Sequence, residues 1–240
     1  MAAERLARLV ARVRSGEELP RGYAYGSRPL REEILKEFPA GNDPRVVITR
    51  NRYGAVILNT AHALFLDIDF PPPTVGGGLR RLFGKKDDPA AAPLAELRAT
   101  LERLGEASFR LYRTAAGLRA LAVDREFTPD APDTQRLMEA AKVDPAFRQL
   151  CRVQQSFRAR LSPKPWRCTY IVPPTDFPRE SAEDQQVFAD WLEGYDLACA
   201  GWATCRSLES VGDGEALPAL EAVVRLHDGL TRCLDELPLA

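Results

Sequence analysis

Two carboxylates, Asp67 and Asp69, close the apolar run "LFLDIDFPPP" and are the sharpest candidates for chemistry in this sequence. In an extended strand, residues two apart project from one face. Asp67 and Asp69 therefore point the same way, with Phe65 behind them and Leu64, Leu66, Ile68 and Phe70 facing the other way. Carboxylates so placed can hold Mg²⁺ or Mn²⁺ while phosphate oxygens and waters complete the shell, the arrangement enzymes use on nucleotide triphosphates. The same pair also reads as the polar end of a strand that has reached solvent, its acids paired with arginines. Both readings stand on the motif alone.

The next candidates are arginines. "SFRLYRTAAGLRALAVD" reads as a hairpin with Ala115-Ala116-Gly117 at the turn. Phe109, Leu111 and Arg113 share a face of the incoming strand, and Arg119, Leu121 and Val123 share a face of the outgoing one. Each apolar row carries an arginine at the turn end. Beside the carboxylates, Arg113 and Arg119 would serve as triphosphate clamps or would neutralise the acids directly. Further on, Pro145 to Thr175 contains no acid, yet holds Arg148, Arg152, Arg158, Arg160, Lys164 and Arg167 among Phe147, Phe157, Trp166 and Tyr170. Basic side chains with aromatic stacking platforms suit single-stranded nucleic acid, and Arg158, Arg160, Lys164, Trp166 and Arg167 are the candidate contacts. Arg158 and Arg160 fall on one strand face, opposite Phe157, Ala159 and Leu161. A solvated basic face is the alternative.

The elements that must position these residues alternate in clusters, which predicts an α+β fold with a largely antiparallel sheet. Three regions are expected: N-terminal helices over residues 1–40, an α+β core over 41–178, and a helical C-terminal segment over 179–240 packed on that core. Leu6, Leu9, Val10 and Val13 recur at helical spacing, and "SRPLREEILKEF" reads as a second helix with Ser27 placed to cap and Pro29 in its first turn. "RVVITRNRYGAVILNT" has hairpin grammar, and "ALFLDIDF" follows as a third strand. Residues 71–93, rich in proline, glycine and mixed charge, read as a mobile loop. Within it Gly84-Lys85-Lys86 lacks a P-loop's other requirements, because Leu79 and Lys86 stand where Gly and Ser or Thr are needed. Helices are predicted over "PLAELRATLERLGE", near 132–142 and over 145–151, with extended runs in "QSFRARL" and "RCTYIVPP". From Ala182 the pattern is helical, with Phe188, Trp191, Tyr195 and Trp202 on one face and Leu220, Val223, Val224, Leu230 and Leu234 on another.

Bulk composition bounds the function without choosing it. At 240 residues and 45% hydrophobic the chain can bury a substantial core. A formal net charge of −1 gives no global attraction to nucleic acid or anionic membrane, so any such affinity is local. No unbroken apolar segment suits a signal peptide or a membrane span, which predicts a cytoplasmic protein without a membrane partner. Five cysteines without CxxC spacing, and only His62 and His227 to join them, favour free thiols in a reducing compartment over disulfides or zinc.

Taken in order, "FLDIDF", "YRTAAGLRALAV" and "LCRVQQSFRARLSPKPWR" resemble the archaeo-eukaryotic primase and primase-polymerase superfamily over roughly residues 45–173. The resemblance implies an RRM-like, primase-like sheet and two-metal nucleotidyl transfer. Asp67 and Asp69 would be the catalytic metal ligands for Mg²⁺ or Mn²⁺, with Arg113 and Arg119 on nucleotide phosphates. It also implies nucleotide triphosphate and single-stranded nucleic acid as partners. Arg119 falls where the family's histidine stands, and Arg160 to Trp166 resembles its later basic segment. The family's late carboxylate has no counterpart between Pro145 and Thr175, Asp124 and Asp144 being the nearest substitutes. A member that binds nucleotide or nucleic acid without catalysis fits these residues as well as an active one. A rival resemblance is the haloacid-dehalogenase-like phosphatase, whose first motif also ends in D-x-D, with one Asp attacking phosphate and the other acting as acid and base. That family wants Thr or Val where Pro71 stands, and a late acidic pair where "LRALAVD" offers Asp124 alone. A third reading is non-enzymatic, an α+β interaction domain whose C-terminal helices dock a protein partner.

Overall fold

A computed structural model describes residues 32–40, 43–70 and 88–240. The expected N-terminal helix, Ser27, Pro29 and most of the 71–93 loop lie outside the described residues. The hairpin expected around Asn51 forms between β2 (Asp43–Arg50) and β3 (Val56–Thr60), which pair antiparallel. Asn51 Oδ1 accepts from the N–H groups of Tyr53 and Ala55, at 3.0 and 3.1 Å, and so closes the turn. Gly54 sits there at φ +86°, with the Trp191 ring so close that a β-carbon would lie 2.2 Å from it.

The first correction lies upstream. "EILKEFPA", read in part as helix, is β1 (Glu33–Ala40), antiparallel to β2. Its helix-favouring Glu, Leu and Lys are overruled by the ladder that β2 offers, since a single short helix gains little unless a face is buried. With β7 (Phe157–Arg160) the first sheet runs β1-β2-β3-β7.

The carboxylate strand belongs to a second sheet, ordered β4-β6-β5-β8 and antiparallel throughout. Here β4 is Phe65–Asp69, β5 Phe109–Thr114, β6 Gly117–Ala122 and β8 Cys205–Val211. Leu58 and Phe157 of the first sheet share one hydrophobic core with Phe65, Leu111 and Leu118 of the second. Leu97 and Leu101 of α1 (Ala91–Leu104) join that core, as do Leu137 of α2 (Pro132–Ala140) and Cys151 of α3 (Pro145–Gln154). Prolines at the first turn of α2 and α3 start these helices, and Asp144 accepts from the Phe147 N–H to cap α3. The expected α+β class is therefore the observed one.

The C-terminal segment departs from an all-helical reading. Between α4 (Ala182–Cys199) and α5 (Pro218–Thr231) runs β8, which pairs with β5 at the edge of the second sheet. Its "CRSLESV" is mostly exposed, so neither an apolar run nor a strict alternation announces it. Phe188, Trp191 and Tyr195 are buried along one face of α4, and Leu220, Val223 and Val224 along α5. Leu230, still within α5, is 50% exposed, and Leu234 is 78% exposed because α5 ends at Thr231 and Arg232 turns into the left-handed region. "RCTYIVPP" is not a strand either: a 3-10 turn at Pro165–Arg167 leads into irregular chain, and the prolines that follow can donate nothing to a ladder. No helix among the described residues is long and apolar enough to cross a membrane.

Candidate functional site

The register of β4 against β6 builds the site. Phe65 faces Leu121, Asp67 faces Arg119 and Asp69 faces Gly117. Gly117 permits this approach, since a β-carbon there would lie 2.0 Å from the Ile68 carbonyl oxygen. Asp67 and Arg119, directly opposed on one face, form a two-pronged pair: Nε donates to Oδ1 at 2.7 Å and Nη2 to Oδ2 at 2.9 Å. The Arg119 side chain is 2% exposed. Burial opposes its charge, but the Asp67 carboxylate outweighs that penalty and holds the guanidinium above its ordinary titration range.

The remaining Arg119 nitrogen ties the sheets and the last helix together. Nη1 donates to the Arg160 carbonyl at 3.0 Å and lies 3.3 Å from His227 Nε2. An arginine donor assigns Nε2 as acceptor and leaves Nδ1–H to donate to Asp228 Oδ1, 2.9 Å away. Asp228 also accepts from Tyr112 Oη at 2.8 Å and Arg110 Nη1 at 2.6 Å. Sequence spacing does not unite this network; its one sequence signal is the His227-Asp228 pair within "VVRLHDGL".

Arg113 does not join it. The β5–β6 turn spans two residues, Ala115 and Ala116, so Tyr112 opposes Arg119 and Arg113 opposes Leu118. A three-residue turn would have set Arg113 beside Arg119; one residue fewer sends it to the other face of the sheet. There Arg113 lies over the Phe70 ring, 4.6 Å from its centroid, and donates to Asp88 at 3.1 Å.

At the open end of the carboxylate strand lies a small cleft of about 60 Å³, open to solvent and lined by Asp67, Asp69, Arg119, Arg160, Lys164 and Arg167. Arg160 ends β7, and Lys164 and Arg167 bracket the 3-10 turn. Ser162 and Pro163 are fastened behind them by Tyr195 Oη, which bonds the Ser162 hydroxyl at 2.8 Å and donates to the Pro163 carbonyl at 2.5 Å. Asp67 is already matched by Arg119, so three cations face the single exposed carboxylate of Asp69. Burial, then the charges of Arg119 and Arg167, push Arg160 down to about 10. Burial, then Arg160 and Arg167, also lower Lys164. Nη1 of Arg160 and Nη1 of Arg167 are buried without a hydrogen-bond partner among the described residues.

The other expected nucleic-acid contacts divide. Arg158 shares a strand face with Arg160, yet its Nη2 is held by both Glu32 oxygens at 2.7 and 2.9 Å and its Nη1 by Gln154 at 2.8 Å. It lines no part of the cleft. Trp166 is 51% exposed beside it, with Lys164 Nζ 5.5 Å from its ring centroid and Tyr53 edge-on at 5.5 Å. Among the described residues, no three His, Cys, Asp or Glu side chains converge as a metal-binding group.

Comparison with known protein families, curated proteins and solved structures finds no match. The functional reading rests on the geometry of the cleft.

Proposed function

We propose that this chain is a phosphate-binding protein of primase-polymerase-like character, which holds a nucleotide triphosphate or single-stranded nucleic acid in the Arg160–Arg167 cleft without transferring a nucleotidyl group. The observation that carries this reading is the pair of buried, unpartnered guanidinium nitrogens, Arg160 Nη1 and Arg167 Nη1, in a cleft whose cations outnumber its carboxylates. An unpaired buried donor is costly, and phosphate oxygens bound in the cleft would offer such donors charge-assisted bonds. Phosphate would also offset the burial and the neighbouring cations that lower Arg160 and Lys164. Trp166 supports nucleotide over a bare anion, since its exposed face offers a base a stacking surface next to Lys164.

The carboxylate pair does not fit the Mg²⁺ or Mn²⁺ role. Both Asp67 oxygens already accept from Arg119, so a metal there would share them with a buried guanidinium, and Asp69 adds only one further carboxylate. The same bonds oppose Asp67 as a phosphatase nucleophile, and the haloacid-dehalogenase-like reading further needs a parallel sheet where both sheets are antiparallel. The test is fluorescence anisotropy of a labelled single-stranded oligonucleotide and a labelled nucleotide triphosphate against wild type, Arg160→Gln and Arg167→Gln. Binding that persists in EDTA and weakens at least about tenfold in each variant supports the reading; equal binding by all three proteins sinks it.

A further inference from the structure

Behind the cleft, Cys168 and Cys199 hold their sulfurs 3.9 Å apart. Cys168 follows Arg167 at the end of the 3-10 turn and donates its S–H to the Pro165 carbonyl at 3.2 Å. Cys199 is the last residue of α4 and is half-buried, so a small reagent reaches it. One turn earlier, Tyr195 already fastens α4 to Pro163. The turn that carries Lys164 and Arg167 thus has the cleft on one side and a thiol pair on the other.

We propose that Cys168 and Cys199 are a thiol–disulfide modification site whose oxidation by a small-molecule disulfide, such as glutathione disulfide, lowers the anion affinity of the cleft. The affinity half of this proposal rests on the phosphate-binding reading above. The Cys199 thiolate attacks one sulfur of the reagent, giving a mixed disulfide and one departing thiolate. The Cys168 thiolate then displaces the second. Two protein thiols are oxidised, one small disulfide is reduced, and the two thiol protons end on the two released small thiols.

Burial pushes Cys199 up to about 12, and burial likewise raises Cys168, so thiolate is scarce at neutral pH. The pair therefore resists a brief exposure and responds to a sustained oxidising poise, faster as pH rises. Closing the sulfurs from 3.9 Å to the bonded separation of about 2 Å removes the S–H donor that caps the turn and draws its end toward α4. Arg167, the neighbouring residue, moves with it.

The experiment incubates the full chain with glutathione disulfide at mildly alkaline pH, maps disulfides by mass spectrometry of non-reduced peptides, and titrates reduced and oxidised protein with inorganic pyrophosphate. Wild type should give a peptide linking Cys168 to Cys199, two hydrogens lighter than its parts. Its pyrophosphate affinity should fall about tenfold, the worth of roughly one charge-assisted hydrogen bond, and return with a thiol reductant. Cys199→Ser should bind pyrophosphate like reduced wild type and ignore the oxidant. Links through Cys151, Cys205 or Cys233, or stable glutathione adducts, overturn the modification site. A Cys168–Cys199 link with unchanged affinity overturns the coupling. If reduced wild type binds no pyrophosphate, the phosphate-binding reading fails, while the peptide map still decides whether the disulfide forms.

Discussion

Arg119 holds both oxygens of Asp67, at 2.7 and 2.9 Å, from a position that is almost wholly buried. This pair divides the D-x-D motif into two residues of different kind. Asp67 is the counterion of a guanidinium that links β6, β7 and α5, whereas Asp69 is exposed at the cleft rim.

Stability measurements on the two aspartates should separate them. Asp67→Ala leaves Arg119 buried without its counterion and should cost about 3–5 kcal/mol in denaturant unfolding. Asp69→Ala removes an exposed group and should stay within about 0.5 kcal/mol. Equal costs at the two positions contradict the division.

Removing the crowded cations should not harm the fold. Arg160→Gln and Arg167→Gln each relieve a lowered or unpartnered guanidinium. Their melting temperatures should equal or exceed that of wild type while anion binding is lost. A fall of several degrees in both means that these arginines are structural.

Anion affinity should decline at alkaline pH. Lys164 is lowered from 10.5 and Arg160 is pushed down to about 10, so the free cleft loses positive charge as pH rises toward 10. Bound phosphate favours the charged forms, and binding is therefore linked to proton uptake in that range. Pyrophosphate titrations at a series of pH values up to 10 read this directly; a flat profile contradicts it.

At the acid end, Asp228 is the informative group. Burial works against its charge, but the bonds from His227 and Tyr112 outweigh burial and hold it below its ordinary 3.8. A carboxyl lowered in the fold stabilises above its ordinary range, and that contribution is lost as pH falls through the lowered value. Asp228→Asn should therefore be destabilised at neutral pH and lose less further stability below about pH 4 than wild type does. Parallel acid limbs for the two proteins refute the assignment.

The parts of this site visible in the sequence were those fixed by strand alternation. Asp67 and Asp69 share a face, and Arg160 points away from the face of the adjacent, buried Ala159, because the period of two is rigid. Arg113 escapes that rule because the hairpin turn is one residue shorter than its "TAAGL" composition suggests, and register parity turns on that single residue. Arg158 matched Arg160 in pattern, but a bond to Glu32, 126 residues away, decides its fate. β1 and β8 owe their conformation to neighbours rather than to their own residues: β2 recruits a helix-favouring segment, and β5 an exposed one. In the sequence His227 stands out only as a zinc candidate, since its contact with Arg119 spans 108 residues.

The most direct test of the phosphate cleft is calorimetric titration of wild type, Asp69→Ala and Arg167→Gln with a nucleotide triphosphate, each in EDTA and in Mn²⁺. Wild type and Asp69→Ala should bind as strongly in EDTA as in Mn²⁺, and Arg167→Gln should lose binding under both conditions. Binding that requires Mn²⁺, disappears in Asp69→Ala and survives in Arg167→Gln would contradict the phosphate-binding reading and return the D-x-D pair to the role of a metal site.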